Sequence, residues 1–381
     1  MTTLTKQNFR VTAEKGTNTL KYKMLVICPH PENMVPGQRL KYEQYFDYFR
    51  ANGIGVTVKP FMNVRFQNIV YKKGRLFEKV WWTLRGYWQR VFLLFSLRRY
   101  DIVYIFLWVT PFGPPFFEWL YCKLGRKVIY DIDDLVYLPG IKSDANPVAA
   151  YIKGTKKPFF MMKRANHVIT CTPYLDNIVR KYNQYTTDIS STINTSIYLP
   201  KTDYAIHNNK VILGWSGSVS TAKHLRLLEP VFKQLQQDGI GFKLLVMGDE
   251  SFHIDGIEVE ALAWKESYEV EVIKKFDIGL YPLPDEQWVY GKSGLKALQY
   301  MAAGIPTIAT AIGTNFRIIE DNYNGFLVST NMEWVAKLKQ LIIDKELRER
   351  IGKNGAGVVK KKFSVDANRD TYLTIIRNVI N

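Results

Sequence analysis

Three short stretches hold the residue types from which a chemical site could be built. The longest is the run 291–310, GKSGLKALQYMAAGIPTIAT. It reads as a Gly-containing loop, a helix whose first turn carries Ser293 and Gly294, and a buried strand over 305–309. The free amides and positive dipole end of such a helix favour an anion, typically a phosphate. Lys292 and Lys296 add cationic charge beside that end, and Leu295 sits between them. Just upstream, FDIGLYPLP at 276–284 is an apolar run closed by prolines, the pattern of a parallel strand entering a loop. A second stretch, GWSGS at 214–218, carries Gly217 and Ser218 and leads to Thr221 and Lys223 at the start of a helix, again a phosphate-type turn. The third gathers Asp131, Asp133 and Asp134 where a strand ends. Carboxylates there either meet a substrate or metal, or form an exposed acidic turn capping the next helix. Each glycine-rich loop alone is also compatible with a plain strand-to-helix turn, but two in one domain make coincidence less economical.

The elements that must position these stretches follow a strand-helix alternation. Residues 1–20 read as a loose polar tail. In a first domain, 21–200, strands are expected at 24–28, 55–59, 101–108, 127–132 and 167–170, with helices at 38–51, 114–124, 147–165 and 174–183. A polar stretch at 199–209 precedes a second domain, 205–362. Its strands are expected at 211–215, 244–247, 257–264 and 276–281, and a helix at 222–237 buries Leu225, Leu228, Val231, Phe232 and Leu235. A closing segment, 363–381, holds a helix from about 365 to 380.

At 381 residues the chain accommodates two cores, and 47% hydrophobic with 23% charged residues describes a globular protein. Cys28, Cys122 and Cys171 are far apart, without metal-type spacing. The polar start does not read as a secretory signal, and no apolar run approaches the ~20 residues of a membrane span. The expected topology is therefore cytoplasmic. The net charge is +17, and it is unevenly spread: residues 1–200 hold 29 Lys and Arg against 13 Asp and Glu, and residues 201–381 hold 23 against 22. A strongly basic half points to a polyanionic partner.

The densest part, 59–99, has ten basic residues against Glu78 alone. Within it Phe77, Val80, Trp81, Leu84, Trp88, Val91, Phe92 and Phe95 recur at helical steps. With Trp82 and Tyr87 nearby, this face suits an anionic membrane surface, and equally the core of the domain. No nucleic-acid-binding signature accompanies the charge, and no nucleophile-plus-base pair of hydrolase type is visible.

The 276–328 region resembles the donor half of nucleotide-sugar glycosyltransferases of the GT-B fold, and most closely the retaining family 4 (group 1), whose helix typically ends in a Met-Ala-x-Gly-x-Pro run like that starting at Met301. The resemblance implies an α/β protein of two Rossmann-like parallel-sheet domains facing a central cleft, with the C-terminal helix crossing back to the first. It implies transfer of a sugar from a nucleoside diphosphate sugar to an acceptor hydroxyl, with retention and without metal or other cofactor. Gly217, Ser218, Ser293, Gly294, Leu295 and Lys296 would then meet the donor. Trp264 would wall the base, and Lys223 and Lys292 would stabilise the diphosphate. The family's usual arginine in the first loop is missing.

Its Glu-x7-Glu signature falls on Gly291 and Gln299, so Gln299 alone remains for the ribose hydroxyls. Asp131, Asp133 and Asp134 would face the cleft on the acceptor side. The loop 30–39 would be the flexible acceptor-side loop, with Gly37 close to the ligand and Arg39 on a phosphate. Together with the basic aromatic face, the resemblance makes a lipid-linked saccharide at the inner membrane face the expected acceptor. The rival readings are a metal-dependent GT-A enzyme, whose Asp-x-Asp is spelled at 131–133, and a non-catalytic basic adaptor for membrane or nucleic acid.

Overall fold

The computed structural model describes residues 20–135, 154–207 and 210–381. The expected tail at 1–19 and the 147–153 part of one expected helix lie outside them. Two six-stranded sheets, parallel throughout, organise the chain. The first contains β1 (Tyr22–Cys28), β2 (Ile54–Pro60), β3 (Ile102–Phe106), β4 (Val128–Asp131), β5 (His167–Thr170) and β6 (Thr186–Asp188) in the order β2-β1-β3-β4-β5-β6. The second contains β7 (Val211–Ser216), β8 (Phe242–Met247), β9 (Val259–Leu262), β10 (Ile278–Tyr281), β11 (Thr307–Thr310) and β12 (Phe326–Val328) in the order β12-β11-β10-β7-β8-β9. Central strands are buried on both faces, and therefore read as continuous apolar runs. Each sheet reverses its strand order once, between β1 and β3 and between β7 and β10, and ligands of open α/β sheets sit outside the carboxyl ends at such points.

Helix ends follow local chemistry. Asn63, Thr172 and Ser364 cap the helices Val64–Val70, Pro173–Arg180 and Val365–Ile380 through their side-chain oxygens. Two expected helices are broken. That over 38–51 divides into Pro36–Arg39, a 3-10 turn Glu43–Tyr45 and Phe46–Ala51. That over 222–237 becomes a short turn Val219–Ala222, a 3-10 turn Leu225–Leu228 and a helix Glu229–Gln237 begun by Pro230, whose ring and missing N–H suit a first turn and not an interior. β6, a three-residue edge strand, has too short a pattern to be anticipated.

The chain passes between the two halves twice. Past a π-type turn, Val359–Phe363, it returns to the first half as the Val365–Ile380 helix, whose Tyr372 ring lies 4.5 Å from that of Tyr45. The two crossings touch: Ile193 N donates to Phe363 O (2.8 Å) and Val365 N to Ile193 O (3.1 Å).

The basic aromatic helix spans Leu76–Leu94, and its apolar row points outward. Phe77 is 91% exposed, Trp81 65%, Trp88 62% and Phe92 67%, whereas Gly86, Arg90 and Leu93 are buried. The periodicity identified a face correctly, and the core lies on the other side of it. No helix among the described residues is long and apolar enough to cross a membrane.

Candidate active site

In the second half, the loops after β7 and β10 flank the reversal of strand order, and their residues converge. Gly217 lies beside Lys296, and a Cβ on Gly217 would stand 2.8 Å from Lys296 Nζ. Lys296 rests 4.3 Å over the Trp215 ring and 5.9 Å from that of Tyr281, with Thr221 Oγ1 at 3.4 Å. Among the described residues no carboxylate pairs with it. Burial, and then the neighbouring Lys292, lower its pKa to about 7.

The helix behind Lys296 is Leu295–Ala302, so Ser293 and Gly294 precede it instead of forming its first turn. Gly294 takes a φ of +72°, a conformation that costs glycine little. Ser293 is buried against the first half, its hydroxyl 2.9 Å from Ser191 Oγ and its carbonyl accepting from Ser190 Oγ at 3.1 Å. Leu295 packs into the core beneath the loop. The turn holding Ser218 is only four residues long, and a capping box between Ser218 and Thr221 satisfies part of its amide set. The dipole expected there is correspondingly small. Lys223 ends that turn and is solvent-exposed.

On the first sheet the three aspartates separate. Asp131 does not face the cleft: it is fully buried at the end of β4, paired with Lys41 Nζ at 3.1 Å and hydrogen-bonded by the Tyr104 hydroxyl. Burial opposes both charges, and the carboxylates of Asp131 and Asp133 raise the Lys41 pKa in spite of it. Strand geometry sends Asp131 inward to a lysine 90 positions earlier, which adjacency in sequence could not reveal. Asp133 lies by Gly37, where a Cβ would stand 3.6 Å from its Oδ2, and its Oδ1 is shut from solvent without a hydrogen-bond partner. Burial and then Asp134 push the Asp133 pKa up to about 6 against the pull of Lys41 and Lys292. Asp134, at φ +62°, pairs across the cleft with Lys292 Nζ at 2.7 Å.

That crossing explains the missing first glutamate. A Cβ at Gly291 would lie 2.6 Å from Leu135 Cγ and 2.7 Å from Leu135 N, so the aspartate turn of the first half occupies the space of any side chain at 291. The position is glycine because another chain segment lies against it. Carboxylates of the first half, Asp133 and Asp134, stand in the neighbourhood instead.

The corner of the cleft around Gln299 and Trp264 is also tied. Gln299 is buried, and its Nε2 donates to Tyr198 OH at 2.7 Å; that hydroxyl donates in turn to Glu269 Oε2 at 2.8 Å. Trp264 Nε1 donates to Glu269 Oε1 (2.8 Å). Arg39 spans from the first half to Glu269 and Glu266, both at 2.9 Å, with its guanidinium 5.9 Å from the Trp264 ring. Arg39 thus binds carboxylates where a phosphate had been expected. The loop before it is held by Gln38, which bonds His30 on both main-chain atoms and Glu43. Glu269, which opens the helix Glu269–Lys274, and Tyr198 organise this corner, and neither belongs to a motif that would mark it in the sequence.

Residues 201–358 match the family described as glycosyl transferases group 1. Among curated proteins, the capsular polysaccharide biosynthesis glycosyltransferase CapM of Staphylococcus aureus is 26% identical over 167 residues, 41% of this chain and 43% of that protein. The glycosyltransferase 1 domain-containing protein 1 of Xenopus tropicalis is 37% identical over 82 residues, 22% of this chain and 24% of that protein. The chain therefore spans less than half the length of these relatives. Solved structures align almost throughout. A sucrose-phosphate synthase from Thermosynechococcus elongatus gives a TM-score of 0.68 at 16% identity over 94% of this chain and 99% of the other. The Anabaena HepE protein in complex with UDP-glucose gives 0.64 at 13% identity over 94% and 100%. The two sheets of this chain form a GT-B fold, and residues 201–358 in its second half match the glycosyl transferases group 1 family.

Proposed function

We propose that this protein is a retaining glycosyltransferase that moves a sugar from a nucleoside diphosphate to a hydroxyl of a lipid-linked saccharide or cell-surface polysaccharide precursor. The observation that carries the reading is Lys296, an ammonium held against two rings at the switch point of the donor half, with a hydroxyl and no carboxylate to balance it. An enclosed cation without a counter-charge is costly, and the diphosphate of a donor supplies one. The acceptor oxygen bonds the anomeric carbon as the bond from that carbon to the phosphate oxygen breaks. The acceptor proton passes to the departing diphosphate on the same face. Amides around Gly217, Ser218 and Gly294, with Lys296 and then Lys292 and Lys223, stabilise the charge that develops on the diphosphate. Trp264 and Gln299 border the nucleoside. Asp133, with its unpartnered oxygen, accepts a hydrogen bond from the acceptor hydroxyl and orients it, and Gly37 leaves room beside it.

The relatives' printed names support this class of reaction: a capsular polysaccharide enzyme, and a solved neighbour holding UDP-glucose. The Leu76–Leu94 helix adds a location. Its exposed rings enter the headgroup layer and its basic residues meet anionic lipid, so the protein works as a peripheral enzyme at the inner membrane face. Donor hydrolysis measured across UDP-, GDP- and ADP-sugars tests the reaction. Turnover with one of them in the presence of EDTA is the expected result. Activity lost to EDTA and restored by manganese would instead indicate a metal-dependent enzyme, and no hydrolysis or binding of any nucleotide sugar would remove the reading. Sedimentation with anionic vesicles, reversed by high salt, tests the location.

A further inference from the structure

The inward side of the Leu76–Leu94 helix has a chemistry of its own. Gly86 sits so close to the loop after β2 that a Cβ there would stand 2.6 Å from the Phe61 ring. Glycine in a helix interior costs about 1 kcal/mol relative to alanine, so close approach is what the position provides. One turn on, buried Arg90 donates to the main-chain oxygens of Val109 (2.8 Å), Lys59 (3.0 Å) and Cys28 (3.2 Å). The helix is thereby fixed across the carboxyl edge of the first sheet, the edge that also carries Asp133. Between the helix and the 59–66 segment lies a cavity of about 590 Å³.

Its walls divide by polarity. Phe61, Met62 and Leu93 contribute an apolar floor, and Lys59 and Arg85 contribute cations beside the Trp82 ring. The Trp82 Nε1–H is closed off from solvent and has no acceptor. Arg85 stacks 5.0 Å from the Trp82 ring, and among the described residues neither Arg85 nor Lys59 forms an ion pair. The one acid of this basic region, Glu78, is taken by Arg65 at 2.7 Å and Arg75 at 3.7 Å. The cavity therefore offers two unneutralised cations over hydrocarbon, with no carboxylate lining it. The rings that lead away from it, Trp88 and Phe92, belong both to the cavity and to the outward row.

We propose that this cavity binds the phosphate headgroup of one membrane lipid bearing a phosphate or diphosphate monoester. The anion meets Lys59 and Arg85, and the hydrocarbon leaves along Trp88 and Phe92 into the bilayer. This rests on the membrane-apposed reading of the helix, to which it adds a saturable site of fixed stoichiometry. A lipid is favoured over free phosphate because the floor is apolar and runs into the exposed row.

The test uses the full chain and dihexanoyl phosphatidic acid below its micellar concentration, followed by tryptophan fluorescence and calorimetry. Dihexanoyl phosphatidylcholine and inorganic phosphate are the comparators. Saturable one-to-one binding of the phosphatidic acid is expected, weakened at least tenfold in Lys59→Ala/Arg85→Ala, a variant whose melting curve checks its folding. A Phe77→Ser/Trp81→Ser variant, altered only on the outer row, should lose vesicle sedimentation and keep the soluble ligand. Equal affinity for phosphatidylcholine, or unchanged binding in the double alanine variant, overturns the site. Inorganic phosphate binding as tightly as the lipid overturns the lipid assignment. Failure of the wild type to sediment with anionic vesicles sinks the membrane reading separately, whatever the cavity binds.

Discussion

The carboxyl edges of the two sheets are built alike and charged oppositely. The first presents Asp131, Asp133 and Asp134; the second presents Lys292 and Lys296 at its switch point. On the first edge Asp131 is locked to Lys41, and Asp134 is shared across the cleft with Lys292. After those pairings one group remains on each side without a full partner: Asp133, with a buried bare oxygen, and Lys296, with only a hydroxyl and two rings. Charge that a fold neutralises internally holds the fold together, and charge left over is available to a ligand. The comparison thus sorts five motif residues into structure and site more sharply than their spacing does.

The largest expected effect comes from removing the remainder on the acid side. Asp133→Asn should lower kcat by about 10²-fold or more, the cost of a misoriented acceptor. In the wild type, turnover should rise with pH through about 6 as the carboxylate ionises, and the variant should lose that limb. Steady-state kinetics from pH 5 to 8 decides, and a variant within fivefold of wild type would make Asp133 structural.

Next in size is the cation side. Lys296→Met removes a charge-assisted contact, so donor affinity should fall by roughly 1.5–3 kcal/mol, or about 10- to 150-fold. Lys296 is cationic below about 7 and neutral above, so wild-type donor affinity should weaken as pH rises through 7. Binding near pH 8 should take up a proton, and calorimetry in buffers of different ionisation enthalpy reads that directly. The same proton uptake in the methionine variant would assign it elsewhere.

Smaller effects test how the edges meet. Gly291→Ala forces a Cβ into the Leu135 backbone and should cost about 1–3 kcal/mol in stability, seen as a lowered Tm by scanning calorimetry. An unchanged Tm would mean that the halves separate easily at this contact. Least of all, Asp134→Asn breaks a half-exposed ion pair and should change stability by under about 1 kcal/mol. A larger loss would show that Asp134 belongs with Asp131 among the locking groups.

Much of this was legible beforehand because it is local. Alternating apolar runs and glycine or proline punctuation gave most strands within a few residues, and the two loops and Lys296 stood out by composition. What escaped was set by distance in the chain. Periodicity defines an apolar face of the 76–94 helix without saying which side of the molecule it meets, and Arg90, one of the ten basic residues of 59–99, is buried. The three aspartates look equivalent in a row, and only Lys41 and Lys292, far away in opposite directions, tell them apart. The family resemblance places Gln299 at the ribose and Arg39 at a phosphate, whereas Tyr198, Glu266 and Glu269 hold them here.

The touching crossings at 193 and 363–365 carry a mechanical consequence. Main-chain hydrogen bonds join the passages into one strap, and such bonds respond little to ionic strength. Besides the buried hydrogen bonds of Ser190 and Ser191 to Ser293, the cleft is drawn together by ion pairs of Arg39, Lys292 and Arg317 with acids of the opposite half, and salt screens these pairs wherever they reach solvent. The molecule therefore has an insensitive axle and a sensitive clasp: raising the salt concentration loosens how far the halves swing while leaving the line about which they turn in place.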